Sequence, residues 1–158
     1  MIVKDNFLDE KDLFKIKNLV EGDTFPWFYF PSMSYTDSKD GSWFGHLLYT
    51  PGIASNFLEH FNVLFKKINV TKLLNAKVCC MLFPTTSDYH VDKWSAEMNH
   101  KTAIFYLNTN NGYTEFETGE KVDSVENRIL IFNSNKTHRG KNQTDKERRI
   151  FLNINYYE

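Results

Sequence analysis

His90 and Asp92 stand two residues apart in the stretch Tyr89-His90-Val91-Asp92, and His138 follows much later in the chain. On an extended strand, positions i and i+2 point to the same face, so one strand presents an imidazole and a carboxylate side by side. The long interval before His138 lets the chain leave, cross a sheet and return. Two imidazoles and one carboxylate on one face of a metal leave the opposite coordination positions open. That is the facial-triad donor set of a non-haem Fe(II) centre. His90, Asp92 and His138 are therefore the candidate metal ligands and the candidate catalytic residues. His46, His60 and His100 lack such spacing and read as surface or satisfied core residues.

A second signal lies near the C-terminal end, where Arg148-Arg149 leads into the apolar run Ile150-Phe151-Leu152-Asn153-Ile154. A guanidinium is a rigid two-pronged donor suited to holding a carboxylate. Neighbours on a strand face opposite ways, so only one of the two arginines can point inward.

The elements that must position these groups follow from periodicity and punctuation. A short strand is expected within Met1–Phe7. A helix should follow, with Asp9 as N-cap, Leu13, Phe14, Ile16, Leu19 and Val20 at helical spacing, and Gly22 as its stop. Pro, Gly and Ser interrupt residues 23–54, which read as short strands and loops that partly roof the site. A second helix is expected from Ser55, carrying Phe57, Leu58, Phe61, Leu64, Phe65 and Ile68. From Ala76 the period becomes that of strands, at Lys77–Phe83, Thr102–Leu107, Thr114–Glu117, Arg128–Phe132 and Arg149–Tyr156, with turn-forming segments between them. Residues 93–99 form a loop in which Trp94 either contacts a substrate or caps the sheet. The expected organisation is one domain over 1–158, with helical and irregular support in 1–75 and the β core in 76–158. Pattern alone leaves sandwich, barrel and jelly roll open.

Composition excludes more than it assigns. The chain has 158 residues and 19 basic against 20 acidic side chains, so no general attraction to nucleic acid or to a membrane surface is expected. No run reaches the roughly 18 apolar residues that span a bilayer. Cys79 and Cys80 are adjacent, so on a strand they face apart and do not bridge each other. With no signal-like start, a cytoplasmic location is the expectation, and a monomer is the default.

Taken in order, the blocks His90-Val91-Asp92, Ile104-Phe105-Tyr106-Leu107-Asn108, Gly112-Tyr113-Thr114-Glu115-Phe116, His138 and Arg149 resemble the Fe(II)/2-oxoglutarate-dependent oxygenases, most closely their prolyl-4-hydroxylase-like branch. The resemblance covers residues 77–157, and in overall style the chain is similar to short phage and marine bacterial members, which would place it in a host cytoplasm if phage-encoded. It implies a mainly β fold with N-terminal helices, a double-stranded β-helix of the cupin-like jelly-roll kind. It also implies Fe(II) held by His90, Asp92 and His138, with 2-oxoglutarate and O2 as co-substrates. Arg149, favoured over Arg148 by the family's spacing, would pair with the distal carboxylate of 2-oxoglutarate, and Tyr106 would donate its hydroxyl to it. Retention of Asp92 points to hydroxylation rather than halogenation. Phe151 stands where many relatives carry a hydroxyl, Tyr113 where they carry a second glycine, and Phe83 where an aromatic hydroxyl often precedes the proline.

The activity so implied is hydroxylation of a C–H bond in a peptidyl, including prolyl, or small-molecule substrate, with release of succinate and CO2. Two alternatives stand beside it. One is a nucleobase-modifying oxygenase, which calls for a basic groove and a stacking lid. The other is a non-catalytic jelly-roll binding or virion-associated module, which has no reason to keep two histidines, one aspartate and an inward arginine together.

Overall fold

The computed structural model describes residues 1–32, 41–96 and 99–158. Residues 33–40, inside the expected roof, and 97–98, inside the expected loop, lie outside them. The described elements run in the order β1 (Ile2–Lys4), α1 (Glu10–Glu21), β2 (Phe28–Phe30), β3 (Trp43–Thr50), β4 (Ile53–Ala54), a 3-10 turn (Leu58–Phe61), α2 (Asn62–Lys67), β5 (Lys72–Met81), β6 (Lys101–Tyr106), β7 (Tyr113–Phe116), β8 (Lys121–Asp123), β9 (Arg128–Asn133), β10 (His138–Lys141) and β11 (Arg149–Tyr157).

Two antiparallel sheets carry the architecture. The larger has the order β1-β9-β6-β11-β5-β3-β2, with β4 added on β3, and the smaller has the order β10-β7-β8. Isolated bridges Thr86↔Lys141 and His90↔His138 lay residues 86–90 beside β10 on the smaller sheet. The larger sheet is covered on both faces. Phe151, Tyr106, Ile104, Leu130, Phe132 and Cys79 meet Phe116 and Val122 of the smaller sheet. Leu152, Ile154, Val78, Cys80, Phe105 and Ile129 point the other way, onto Ile16 and Val20 of α1 and Leu64 and Phe65 of α2. This double cover is why β11 reads as a near-continuous apolar run rather than an alternating one. The mainly antiparallel β architecture agrees with the jelly-roll expectation.

The helices follow it more loosely. In α1, the Asp9 side chain accepts from the Asp12 amide as N-cap, and the Gly22 amide closes the end on Leu19. The second helix is shorter than its apolar spacing predicts. Ser55 Oγ accepts from the Phe57 amide at 3.1 Å, a local turn that competes with helix, and regular α geometry begins only at Asn62. Within 23–54, the short strands β2 and β4 agree with the expectation, but β3, at eight residues, is longer than the expected pieces. Leu47 alone is exposed along it, so no period-two alternation marks it. His46 is a satisfied core residue there, bonded to Pro26 O and Ser55 Oγ.

At the sheet's edge, Arg128 donates from Nε and Nη2 to the two Asp5 carboxylate oxygens at 2.6 and 3.1 Å, tying the chain after β1 to β9. The hydrogen bond from Arg128 holds the Asp5 carboxyl below its ordinary pKa. The folded pKa being the lower one, the stabilisation is present above the unfolded carboxylate pKa and is lost as pH falls through the depressed value. Because Asp5 is half exposed, it is worth only about 0.5 kcal/mol. Asp5→Asn should therefore lower stability at neutral pH by about that amount, and chemical denaturation should show the difference vanishing in acid.

Candidate functional site

The bridge between residues 86–90 and β10 brings the metal candidates together. His90 and His138 exchange both backbone hydrogen bonds at 2.9 Å, and their rings stand 4.5 Å apart between centroids. Asp92 reaches the same spot, with its Oδ2 3.9 Å from His138 Nε2. One donor atom from each of the three residues lies within 4.8 Å of the others.

Each side chain is oriented from behind. His90 Nδ1 lies 2.9 Å from Asp88 O, and His138 Nδ1 lies 3.0 Å from Lys136 O. A carbonyl only accepts, so both Nδ1 atoms carry the proton and both Nε2 atoms keep a lone pair. Burial lowers the His138 pKa, against the opposing pull of Asp92, which keeps this imidazole neutral as a ligand must be. Phe132 packs edge-on against the His138 ring at 4.7 Å. Thr102 Oγ1 donates to Asp92 Oδ2 at 2.7 Å, and Asn155 Oδ1 lies 2.9 Å from the same hydroxyl. Supporting bonds of this kind fix the direction of metal ligands. Nothing in the local sequence around Asp92 marks Thr102 for the task; it comes from β6.

Arg149 occupies the far part of the same cavity, which measures about 100 Å³ and is also lined by Met81, Ile104, Thr114 and Phe151. Its side chain is buried, 2 % exposed. Nε donates to Ser124 Oγ at 2.7 Å, and the guanidinium lies 4.5 Å from the Phe151 ring centre. So the residue that replaces the expected hydroxyl stacks on the arginine instead of bonding beside it. Among the described residues, no carboxylate pairs with Arg149. Desolvation pulls its pKa down, but from so high a starting point that it stays charged. Arg148 faces outward, 3.6 Å from Glu21. Tyr106 is wholly buried beneath the cavity wall, and its hydroxyl pairs with Thr114 Oγ1 at 2.8 Å. Thr114, rather than Tyr106, forms the lining at that point. Thr114 stands in the Gly112–Phe116 block, whereas nothing local marks Ser124, whose contact with Arg149 joins the residue after β8 to β11. Cys79 also lines the cavity, and burial raises its pKa to about 11, so it offers a neutral thiol and no competing thiolate.

Gly112 explains the glycine of the Gly112-Tyr113-Thr114 block. A Cβ there would lie 2.8 Å from Lys141 O and 2.9 Å from Arg149 Cδ. Backbone on one side and a packed guanidinium stem on the other leave no room. Gly112→Ala should destabilise the protein by about 1–3 kcal/mol in thermal unfolding, as overpacking does, and displace Arg149.

No family model matches the sequence, and no curated protein matches it. The fold, by contrast, is shared with solved structures. A prolyl hydroxylase from Trichoplax adhaerens, in complex with a hypoxia inducible factor oxygen degradation domain peptide fragment, superposes with a TM-score of 0.71 at 14% identity, over 99% of this chain and 82% of that one. The non-heme alpha-ketoglutarate-dependent epimerase SnoN from nogalamycin biosynthesis gives 0.71 at 12% identity, over 99% and 78%. A viral collagen prolyl hydroxylase from Paramecium Bursaria Chlorella virus-1, in its 2OG complex, gives 0.61 at 13% identity, over 99% and 96%. The chain thus has the fold of the 2-oxoglutarate/Fe(II) oxygenases. No helix among the described residues is long and apolar enough to cross a membrane.

Proposed function

We propose that this protein is a Fe(II)- and 2-oxoglutarate-dependent dioxygenase that hydroxylates a C–H bond of a peptidyl or small-molecule substrate. The observation that carries the reading is Arg149, a buried cation without a carboxylate partner among the described residues, in one cavity with a two-histidine, one-carboxylate cluster. An unpaired buried charge is costly, and a dicarboxylate ligand that also reaches the metal removes the cost.

The donor set fits Fe(II). His90 and His138 would ligate through Nε2, and Asp92 through its carboxylate, steadied by Thr102. Arg149 would hold the distal carboxylate of 2-oxoglutarate, with Tyr106 contributing through its bond to Thr114. Met81, Ile104 and Phe151 would keep water from the reacting end of the cavity. When bound, iron, 2-oxoglutarate and O2 supply the oxidising power, and one turnover converts R–H to R–OH with release of succinate and CO2. The peptide carried by the Trichoplax prolyl hydroxylase and the collagen prolyl hydroxylase of the virus favour a peptidyl substrate. A monomer working in a reducing cytoplasm suits the two free thiols.

The test is succinate formation from 2-oxoglutarate by Fe(II)-loaded protein in air, alone and with prolyl peptides. Fe(II)-dependent succinate that disappears in Asp92→Ala supports the proposal. Folded protein that forms no succinate and binds no 2-oxoglutarate returns it to the binding module.

A further inference from the structure

Lys77 lines the same cavity as the metal candidates and Arg149, and neither of the arrangements above uses it. It lies on β5 directly across from Asn153 of β11, so both side chains leave the sheet on the cavity face, in the row between Phe151 and Asn155. Its ammonium stands 5.3 Å from the centre of the Trp43 indole. Trp43 is fixed in turn: it stacks on Phe30 at 4.5 Å and donates from Nε1 to Ser32 O at 3.0 Å. Gly45 lets the indole lie flat along the sheet, since a Cβ there would meet the Trp43 ring at 2.3 Å.

No ion pair holds Lys77 among the described residues. Its neighbour Asn153 is likewise set up to donate. Asn153 Oδ1 is occupied by Asn155 Nδ2 at 2.8 Å, which turns the Asn153 Nδ2 group the other way. Two N–H donors, one of them charged, therefore line the cavity from one cross-strand position.

The charges of the cavity sharpen the point. With the proposed oxygenase site filled, the two positive charges of Fe(II) balance the two negative charges of 2-oxoglutarate. Asp92 balances Arg149, the ligand histidines are neutral, and Cys79 is a thiol. Among the described residues, Lys77 is left without a counter-charge. We infer that Lys77 and Asn153 form a substrate subsite for an oxyanion, so that the molecule hydroxylated carries a carboxylate, or an equivalent phosphoryl group, near the carbon that reacts. The inference rests on the proposed oxygenase reading and narrows its substrate class to anions.

The experiment uses Zn(II) in place of iron, which prevents turnover, and saturating 2-oxoglutarate, which occupies Arg149. Binding of carboxyl-labelled acetate is followed by 13C line broadening, with acetamide as the uncharged match and inorganic phosphate as the second oxyanion. Acetate or phosphate should bind wild-type protein more tightly than acetamide. Lys77→Met should weaken the oxyanion by roughly tenfold, the loss of one charge-assisted hydrogen bond, while Lys77→Arg retains it. Both variants keep an aliphatic stem over Trp43, and circular dichroism checks that they fold. Phosphate binding in preference to acetate would assign a phosphoryl-bearing substrate. Equal oxyanion binding by wild type and Lys77→Met, or none by either, overturns the inference. So does a loss of 2-oxoglutarate affinity in Lys77→Met, which would make Lys77 a co-substrate residue. Failure of wild-type Zn(II) protein to bind 2-oxoglutarate at all instead removes the oxygenase reading on which the subsite rests.

Discussion

Arg149→Met is expected to raise the Kd for 2-oxoglutarate by about a hundredfold or more. The guanidinium lies buried with its Nε donating to Ser124 Oγ, so a carboxylate that reaches it gains a desolvated, two-pronged contact. Removing one partner of such a pair costs about 3–5 kcal/mol, which corresponds to that range of affinity. The same geometry predicts an opposite effect on the empty protein. A buried cation without a carboxylate partner destabilises the fold, so Arg149→Met should unfold no more easily than wild type without ligand. Isothermal titration with 2-oxoglutarate and thermal unfolding of the ligand-free protein read the two effects separately. Weaker binding together with marked destabilisation would mean that Arg149 holds the sheets together rather than a ligand. Arg149→Lys should recover only part of the affinity, because a single ammonium cannot reproduce the planar fork.

Asp92→Ala should lower Fe(II) affinity by more than the roughly hundredfold that loss of a merely supporting residue produces, because a ligand itself is removed. The fold should survive. Thr102 keeps Asn155 Oδ1 as an acceptor 2.9 Å away, so no hydroxyl is stranded. His138→Ala should weaken metal binding comparably but also cost stability, since its ring packs against Phe132 at 4.7 Å and Phe116 at 6.2 Å. Metal titration monitored by thermal shift distinguishes the cases. Wild type should gain stability as Fe(II) rises, following mass action, and Asp92→Ala should gain almost none over the same range.

The sequence carried the spacing of His90 and Asp92 more clearly than the machinery behind it, although the segment pairs through an isolated bridge at His90 and not as the expected strand. The i, i+2 spacing and the late return of His138 are local facts, and the bridge between the two histidine segments turns them into one cluster. Helix α1 was legible for the same reason, its apolar spacing bracketed by Asp9 and Gly22. Strand β3 was not, because exposure does not alternate along it and Gly45 serves Trp43 rather than a turn. Thr102 and Ser124 carry no such local mark, for a different reason. Each acts through a partner brought near only by tertiary packing, and an isolated threonine or serine looks the same wherever it stands. In the sequence Lys77 is simply the first residue of a strand pattern, and only its place on the cavity face distinguishes it from a solvated lysine.

The most direct measurement is anaerobic titration of the metal-free protein with Fe(II) and then 2-oxoglutarate, recorded in the visible range. The account predicts the charge-transfer absorption of an iron-bound 2-oxo acid in wild-type protein, its absence in His90→Ala, and a much higher 2-oxoglutarate midpoint in Arg149→Met. Folded wild-type protein that binds Fe(II) but develops no such absorption at saturating 2-oxoglutarate would contradict it.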